Sequence, residues 1–459
     1  MKLNEVKKIY FLGIGGIGMS ALARYFLALG KDVAGYDRTS TSLTDQLIRE
    51  GINIHFQDDL SLVPEIYKSK GDTLIVYTPA VPVSHTELRY FLEENFSILK
   101  RSEILGIIMQ NHKGIAVAGT HGKTTISSMI AHIFKHSGIF CNAFLGGIAR
   151  NYNSNILLDS GSDYFIAEAD EFDRSFLTLF PDMAVISAVD DDHLDIYGER
   201  KNLLAAFQQF AAQIKKNGVL VVKKNIELVN PDGVRIFTYS LNEKSDYYAS
   251  NFRKEGLFNR FDINAGKEVF KDIILGVHGV LNIENAVAAF AIAHQAGIST
   301  DKIRLALAEY IGVKRRFEII LHTQKVLFID DYAHHPEELK AFINSVRDAI
   351  PEARITGIFQ PHLYTRTRDF TEGFSKSLSL LDDVILLDIY PAREEPINGV
   401  NSRIIFEKLS NKGEKILCTK TQLLKVIEEL NPKVLLSMGA GDIDLLVSPL
   451  KELLIRMNP

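Results

Sequence analysis

The 459-residue chain has no tryptophan, only two cysteines and only thirteen prolines. Cys141 and Cys418 stand far apart without metal or redox spacing, so they are read as small buried hydrophobes in a reducing compartment, and no structural disulfide is expected. No stretch reaches the roughly 20 apolar residues that span a bilayer, so no membrane partner is expected. The 52 basic and 57 acidic residues leave a net charge of −5. That balance lacks the basic excess of sequence-independent nucleic-acid binding, and no nucleic-acid partner is expected. Low-complexity tracts and fixed-period repeats are also missing, which excludes a solenoid or a largely disordered chain. Lys2, Lys7 and Lys8 ahead of the apolar run 9–22 imitate a secretory leader. Arg24 and the glycine spacing inside that run fit a strand, turn and helix instead, and a cytoplasmic protein is expected.

What remains, 46% hydrophobic and 24% charged residues, is an ordinary globular composition. The length predicts about three domains at about 150 residues each. A strand-like run at 6–12 leads into GIGGIGMS, helical spacing follows over 21–29, and further strands are predicted at 32–36 and 73–77. A second start at 114–117 feeds AGTHGKTT and a helix at 126–136, with apolar strands at 164–167 and 183–189. A third alternation brings strands at 325–329, 355–359, 384–388 and 434–438. Strands alternating with helices imply parallel sheets covered on both faces. The expected fold is therefore three α/β domains, with boundaries near 1–106, 107–314 and 315–459.

Four patterns carry chemistry. Gly13, Gly15 and Gly18 form GxGxxG between strand and helix, with Asp37 at the end of the next strand, a pattern that brings backbone close to a diphosphate at a helix N-terminus. The glycines alone leave NAD and a UDP-sugar equally open, and a tight turn without a ligand is the plainer alternative. Gly119-Thr120-His121-Gly122-Lys123-Thr124-Thr125 ends in the GK[ST] of a phosphate loop but is short, with Val117 where the first glycine would fall. Its amides would hold phosphate oxygens, Lys123 would neutralise charge, and Thr124 could bind Mg²⁺. Two acidic blocks, 168–173 and 190–195 with His193, follow predicted strands, where open α/β sheets bind ligands. A carboxylate with a neutral imidazole could complete a Mg²⁺ shell.

Together with Arg315-Arg316-Phe317, DDYAHHP at 330–336, FQPHLYTRTRD at 359–369, DIYPAREEPINGV at 388–400 and MGAGDI at 438–443, these segments resemble the Mur ligases of peptidoglycan synthesis across residues 9–443. The doubled His334-His335 and the PHLYTRT and YPAREEPI segments resemble the branch that adds L-alanine to UDP-N-acetylmuramate. The branch that reattaches a recycled tripeptide is the competing reading. The resemblance implies an N-terminal Rossmann-like UDP-binding domain, a central phosphate-loop ATPase domain and a C-terminal Rossmann-like domain. It also implies ATP and Mg²⁺ as cofactors, an acyl-phosphate intermediate, and a monomer or homodimer.

Carried over residue by residue, the resemblance implies that Gly13, Gly15, Gly16, Gly18 and Ser20 cradle the UDP diphosphate, with Asp37 near its ribose or uracil. Residues Gly119 to Thr125 would bind ATP phosphates, and Thr124, Glu168 and His193 would hold the metal. Arg316 would reach the γ-phosphate, Asn282 and Asn285 the adenine, and Asp331 its ribose. The amine must lose a proton before it attacks, and His193, His334 or His335 could accept it. Arg366 would bind the amino-acid carboxylate, with His362 and Tyr364 beside it. Against the family pattern, Leu363 stands in place of a second arginine, Phe172 in place of a small residue, Ala188 in place of asparagine, and His278 and Leu281 in place of proline and histidine. The other histidines, His55, His85, His112, His132, His136, His278, His294 and His322, are expected to be surface or locally satisfied side chains.

Overall fold

A computed structural model describes residues 3–159, 161–190, 194–255, 258–392 and 394–459. The chain forms two compact units, one comprising Met1–Phe252, Phe261–Ile274 and Glu284–Ile311, the other Arg253–Arg260, Leu275–Ile283 and Gly312–Pro459.

The first unit holds two sheets among the described residues. Strands β1 (Lys8–Leu12), β2 (Asp32–Tyr36), β3 (Asn53–His55), β4 (Thr73–Tyr77) and β5 (Ser97–Lys100) make a parallel sheet in the order β3-β2-β1-β4-β5. This is the doubly wound order, and the turn after β1 lies where the order reverses, at the usual ligand crevice. The second sheet contains β6 (Lys113–Ala118), β7 (Cys141–Ala149), β8 (Ser154–Leu157), β9 (Tyr164–Ala169), β10 (Met183–Ile186), β11 (Val219–Lys223), β12 (Arg235–Ser240), β13 (Tyr247–Glu255), β14 (Phe258–Ala265) and β15 (Glu268–Leu275). Its order is β15-β14-β13-β12-β11-β10-β6-β9-β7-β8, with β6 and the two strands flanking it parallel.

These two sheets share one apolar core. The helix Ile17–Ala28 lies across both, its Leu22 and Phe26 buried in one cluster with Phe11, Phe144 and Phe165. Tyr25 and Phe144 bring their rings to 5.6 Å. At the same seam Asn155 donates to the Ile17 carbonyl at 2.6 Å and the Ser20 hydroxyl at 3.0 Å, and accepts from Arg24 at 2.7 Å. A buried junction of this kind explains why three sheets give two units.

The second unit carries β16 (Glu318–His322), β17 (Leu327–Asp331), β18 (Ile355–Phe359), β19 (Asp383–Leu386), β20 (Lys415–Leu417) and β21 (Val434–Met438), ordered β16-β17-β21-β18-β19-β20. Only the edge pair β16–β17 is antiparallel among the described pairs of this sheet. Apolar clusters on its two faces centre on Phe359 and Phe374 and on Phe328 and Ile358.

The α/β class is as expected. Gly106 marks the expected end of the first domain. It sits inside the helix Arg101–Gln110, where a Cβ would lie 2.3 Å from the Thr178 carbonyl oxygen. Glycine is used there for close packing. Cys141 and Cys418 are free and buried. No helix among the described residues is long and apolar enough to cross a membrane.

Candidate active site

In the first unit, β1 ends at Leu12 and the GxGxxG turn runs into the helix at Ile17. Asp37 closes the turn from the side: its Oδ2 accepts the Gly15 N–H at 2.7 Å and its Oδ1 the Thr39 N–H at 3.1 Å. The carboxylate thus braces the glycine turn through its own backbone. Ser20 is fully buried, donates to the Ile17 carbonyl at 2.9 Å and accepts from Asn155. Its hydroxyl is spent on the seam between the sheets. Gly18 packs against the Arg101 guanidinium, while Gly13 and Gly16 complete the turn.

The second loop follows β6. Gly119 has φ +135 and a Cβ there would lie 2.2 Å from the Ser187 hydroxyl oxygen, while Gly122 caps the helix Lys123–His136 at φ +85. Both conformations favour glycine. Ser187, just past β10, clamps the loop by donating to the carbonyls of Ala118 and His121. The Thr120 hydroxyl accepts the Asp190 N–H at 3.1 Å, and Thr125 is buried. His121 Nε2 lies 3.6 Å from the Asp190 carboxylate. Asn285 approaches the loop at Gly122, its Oδ1 2.8 Å from where a Cβ there would lie.

Strand β9 runs to Ala169, so Glu168 sits on the strand, paired with Val117. Its Oε1 accepts from the Gly146 N–H at 2.5 Å and Ser127 at 3.3 Å, and its Oε2 from the Thr124 hydroxyl at 3.2 Å. Burial raises its carboxyl above the ordinary carboxylate range. Lys123 donates to the Gly119 carbonyl at 2.8 Å and to both Glu171 oxygens at 2.9 and 2.7 Å. Burial would pull the ammonium down, but Glu171, Asp170 and Glu168 together hold it above its usual value. Glu171, with 0% exposure, is the residue that sequence reasoning missed: it stood in the acidic block without a role. His193 lies outside the described residues.

The second unit groups the remaining polar residues. Arg315, at φ 62, reaches Asp330 at 3.2 Å and the Gly439 carbonyl at 2.5 Å. The Arg316 guanidinium lies 5.1 Å from the Tyr332 ring centre. Asp331 accepts the Phe317 N–H at 2.7 Å and the Ala333 N–H at 2.8 Å. Asn282 donates to the His278 carbonyl at 2.6 Å. His334 Nδ1 lies 3.0 Å from the Tyr332 carbonyl, and burial lowers its pKa despite the neighbouring Glu338. His335 is the N-cap of the helix Pro336–Ala349, and the Glu338 carboxylate accepts both His334 and His335 amides. Both histidines are thus shaped by that cap. His362 stacks on Tyr390 at 5.8 Å and meets His334 at 6.1 Å. Tyr364 and Arg366 lie on the helix Tyr364–Asp369, whose preceding Leu363 has φ 69, and the Arg366 charge bears on His334.

Asp331 yields a pH prediction. Burial pushes its carboxyl up to about 6 despite Arg316 and the two amides, against about 4 in an unfolded chain. A carboxyl that protonates more readily when folded adds stability below about pH 4, and that stability is lost as pH rises through about 6. Relative to Asp331→Asn, the wild type should lose up to about 3 kcal/mol between pH 4 and pH 7. Urea unfolding of both chains across that range checks the slope, and parallel curves would contradict it.

A glycine turn at the switch point of a doubly wound sheet, a phosphate loop on a second sheet and a third α/β sheet together define a multidomain nucleotide-dependent ligase. The chain belongs to the Mur ligase family. Residues 8–113 match the Mur ligase family catalytic domain, 117–293 the Mur ligase middle domain, and 315–447 the Mur ligase glutamate ligase domain. The UDP-N-acetylmuramate–L-alanine ligase of Parabacteroides distasonis is 52% identical, with 99% of each chain covered. Among solved structures, the UDP-N-acetylmuramate–alanine ligase of Thermotoga maritima aligns at a TM-score of 0.82 and 28% identity, over 97% of this chain and 98% of that one. A murein peptide ligase of Psychrobacter arcticus shares the fold at a TM-score of 0.68 and 22% identity, over 98% of each chain.

Proposed function

We propose that this chain joins L-alanine to the lactyl carboxylate of UDP-N-acetylmuramate at the expense of ATP, releasing ADP and phosphate, in peptidoglycan precursor synthesis in the cytoplasm. The observation that carries the reading is the 52% identity, over nearly the whole of both chains, to a protein of that activity. The murein peptide ligase of Psychrobacter arcticus supports the fold, at 22% identity.

Residues 1–106 are proposed to bind the UDP-sugar, 107–314 ATP, and 315–459 the amino acid. Gly13, Gly15, Gly16 and Gly18 offer backbone to the diphosphate, with Asp37 and Ser20 bracing the turn from behind. The phosphate loop and Lys123 hold the ATP phosphates. Asn282, Asn285 and Asp331 serve the nucleoside, and Arg316 the γ-phosphate.

Thr124 and Glu168 fit Mg²⁺: a hydroxyl and a carboxylate converge at 3.2 Å, the hard oxygen donors that this ion takes beside phosphates and water. His193 is assigned with them. When bound, the ion would neutralise charge on the phosphate oxygens.

In the first step a lactyl carboxylate oxygen attacks the γ-phosphorus and ADP departs, leaving an acyl phosphate. Two anions must approach, so Lys123 and Arg316 act by placing positive charge around the transferred group. In the second, the alanine nitrogen attacks the acyl carbon and the tetrahedral intermediate expels phosphate. Arg366 orients the amino acid through its carboxylate, with His362 and Tyr364 beside it. The ammonium proton must leave first. His334 is our choice of acceptor, since burial keeps its ring neutral and able to take a proton.

Substrate labelled with ¹⁸O in the lactyl carboxylate tests the route. One labelled oxygen should appear in each inorganic phosphate, seen by ³¹P NMR, whereas unlabelled phosphate would rule out the acyl phosphate.

A further inference from the structure

His85, expected to be an isolated and locally satisfied side chain, is not isolated. It precedes the helix Thr86–Glu93, and its ring is 5% exposed. Neither ring nitrogen has a hydrogen-bond partner. Its Nε2 faces Asp58 Oδ1 at 3.4 Å, and Asp58 lies just beyond β3 with its side chain 36% exposed. Glu87, in the first turn of the same helix, is fully buried, and its Oε1 also lacks a hydrogen-bond partner. One donor atom from each of Asp58, His85 and Glu87 lies within 4.8 Å of the others.

The surroundings hold these donors in place. The Tyr10 hydroxyl is 2.7 Å from Glu87 Oε2 and 2.7 Å from His55 Nε2, and His55 lies 3.5 Å from Glu87 Oε1. The Tyr36 ring packs 4.4 Å from the His85 ring. The Thr86 N–H donates to Asp58 at 3.0 and 3.1 Å. That bond makes Asp58 a helix cap, but a carboxylate has about four lone-pair positions and the cap leaves others for a second partner. Buried polar atoms without partners are costly, and a site in which His85 and Glu87 each carry one beside Asp58 calls for a common partner.

We propose that Asp58, His85 and Glu87 form a binding site for a divalent transition-metal ion of the zinc class, separate from the ATP site. One imidazole and two carboxylates suit zinc better than magnesium or calcium, which favour oxygen alone. Ligands at about 2.1 Å in a tetrahedral shell stand about 3.4 Å apart, the separation already present between His85 and Asp58. A small shift of the Glu87 carboxylate closes the set, and the exposed edge at Asp58 admits the ion and a water as fourth ligand. Tyr10 orients Glu87 as outer-layer partners of metal ligands do. The ion would tie the segment after β3 to the start of the helix Thr86–Glu93, where the His85 ring packs on Tyr36. The next residue, Asp37, braces the glycine turn.

The test uses the full chain, stripped of metal with a chelator and free of nucleotides. Titration with Co²⁺ should give saturable visible absorption at one equivalent, and Zn²⁺ should raise the Tm by several degrees. Both responses should vanish in His85→Ala and in the near-isosteric Glu87→Gln, and persist in Glu168→Gln. Should His85→Ala fail to fold, Glu87→Gln alone decides. Absence of both responses in the wild type would overturn the proposal, as would responses that survive in Glu87→Gln or disappear in Glu168→Gln.

Discussion

Lys123→Ala should lower turnover by at least about 10³-fold while UDP-N-acetylmuramate still binds. The wild-type ammonium sits at the mouth of the phosphate loop, 2.8 Å from the Gly119 carbonyl, where its charge would meet the ATP phosphates. Removing one preorganised charge from a water-poor site typically costs about 10²–10³ in rate, and Lys123 also helps bind the nucleotide. The variant also leaves the buried Glu171 without its cation, a change that can cost about 3–5 kcal/mol of stability. The double variant Lys123→Ala/Glu171→Gln separates the two effects. It should regain the wild-type Tm and remain inactive. Calorimetry with the UDP-sugar and a phosphate-release assay give both readings. Unchanged turnover in either variant would remove the phosphate-loop assignment.

Arg366→Ala should raise the KM for L-alanine by about 30–100-fold and leave the KM for ATP near its wild-type value. A paired carboxylate held by guanidinium contributes more than a neutral hydrogen bond, about 1.5–3 kcal/mol. On the proposed assignment, Leu363 in place of a second arginine would leave Arg366 with more of that burden. Arg366→Lys should recover only part of the loss, because an ammonium lacks the planar fork. Steady-state kinetics with each substrate varied in turn would show the split, and an ATP effect as large as the alanine effect would contradict the assignment.

Much of this architecture is legible in the sequence. The strands Asp32–Tyr36, Thr73–Tyr77, Ile355–Phe359 and Val434–Met438 fall on the expected residues, because each is a short apolar run buried almost throughout, as parallel strands covered on both faces must be. Both glycine loops lie between strand and helix as their spacing requires. By contrast, β13 to β15 went unpredicted. Strand β15 exposes half of its residues and buries only two, so charged and polar residues hide the strand pattern that apolar runs advertise. The Lys123–Glu171 pair spans 48 residues and becomes visible only when β6 and β9 are set side by side. Asp37 lies at the end of β2 as its spacing requires, but its bond to the Gly15 N–H is a contact that spacing alone does not reveal.

The most direct test of the central claim is phosphate release by the purified chain with ATP, Mg²⁺ and UDP-N-acetylmuramate, adding L-alanine, glycine, L-serine or L-Ala-D-Glu-diaminopimelate in turn. Release should require the UDP-sugar and be fastest with L-alanine. Glycine should fall behind by about 10–200-fold, the discrimination available from a single methyl group. Faster release with the tripeptide, or none with any amine, would contradict the account.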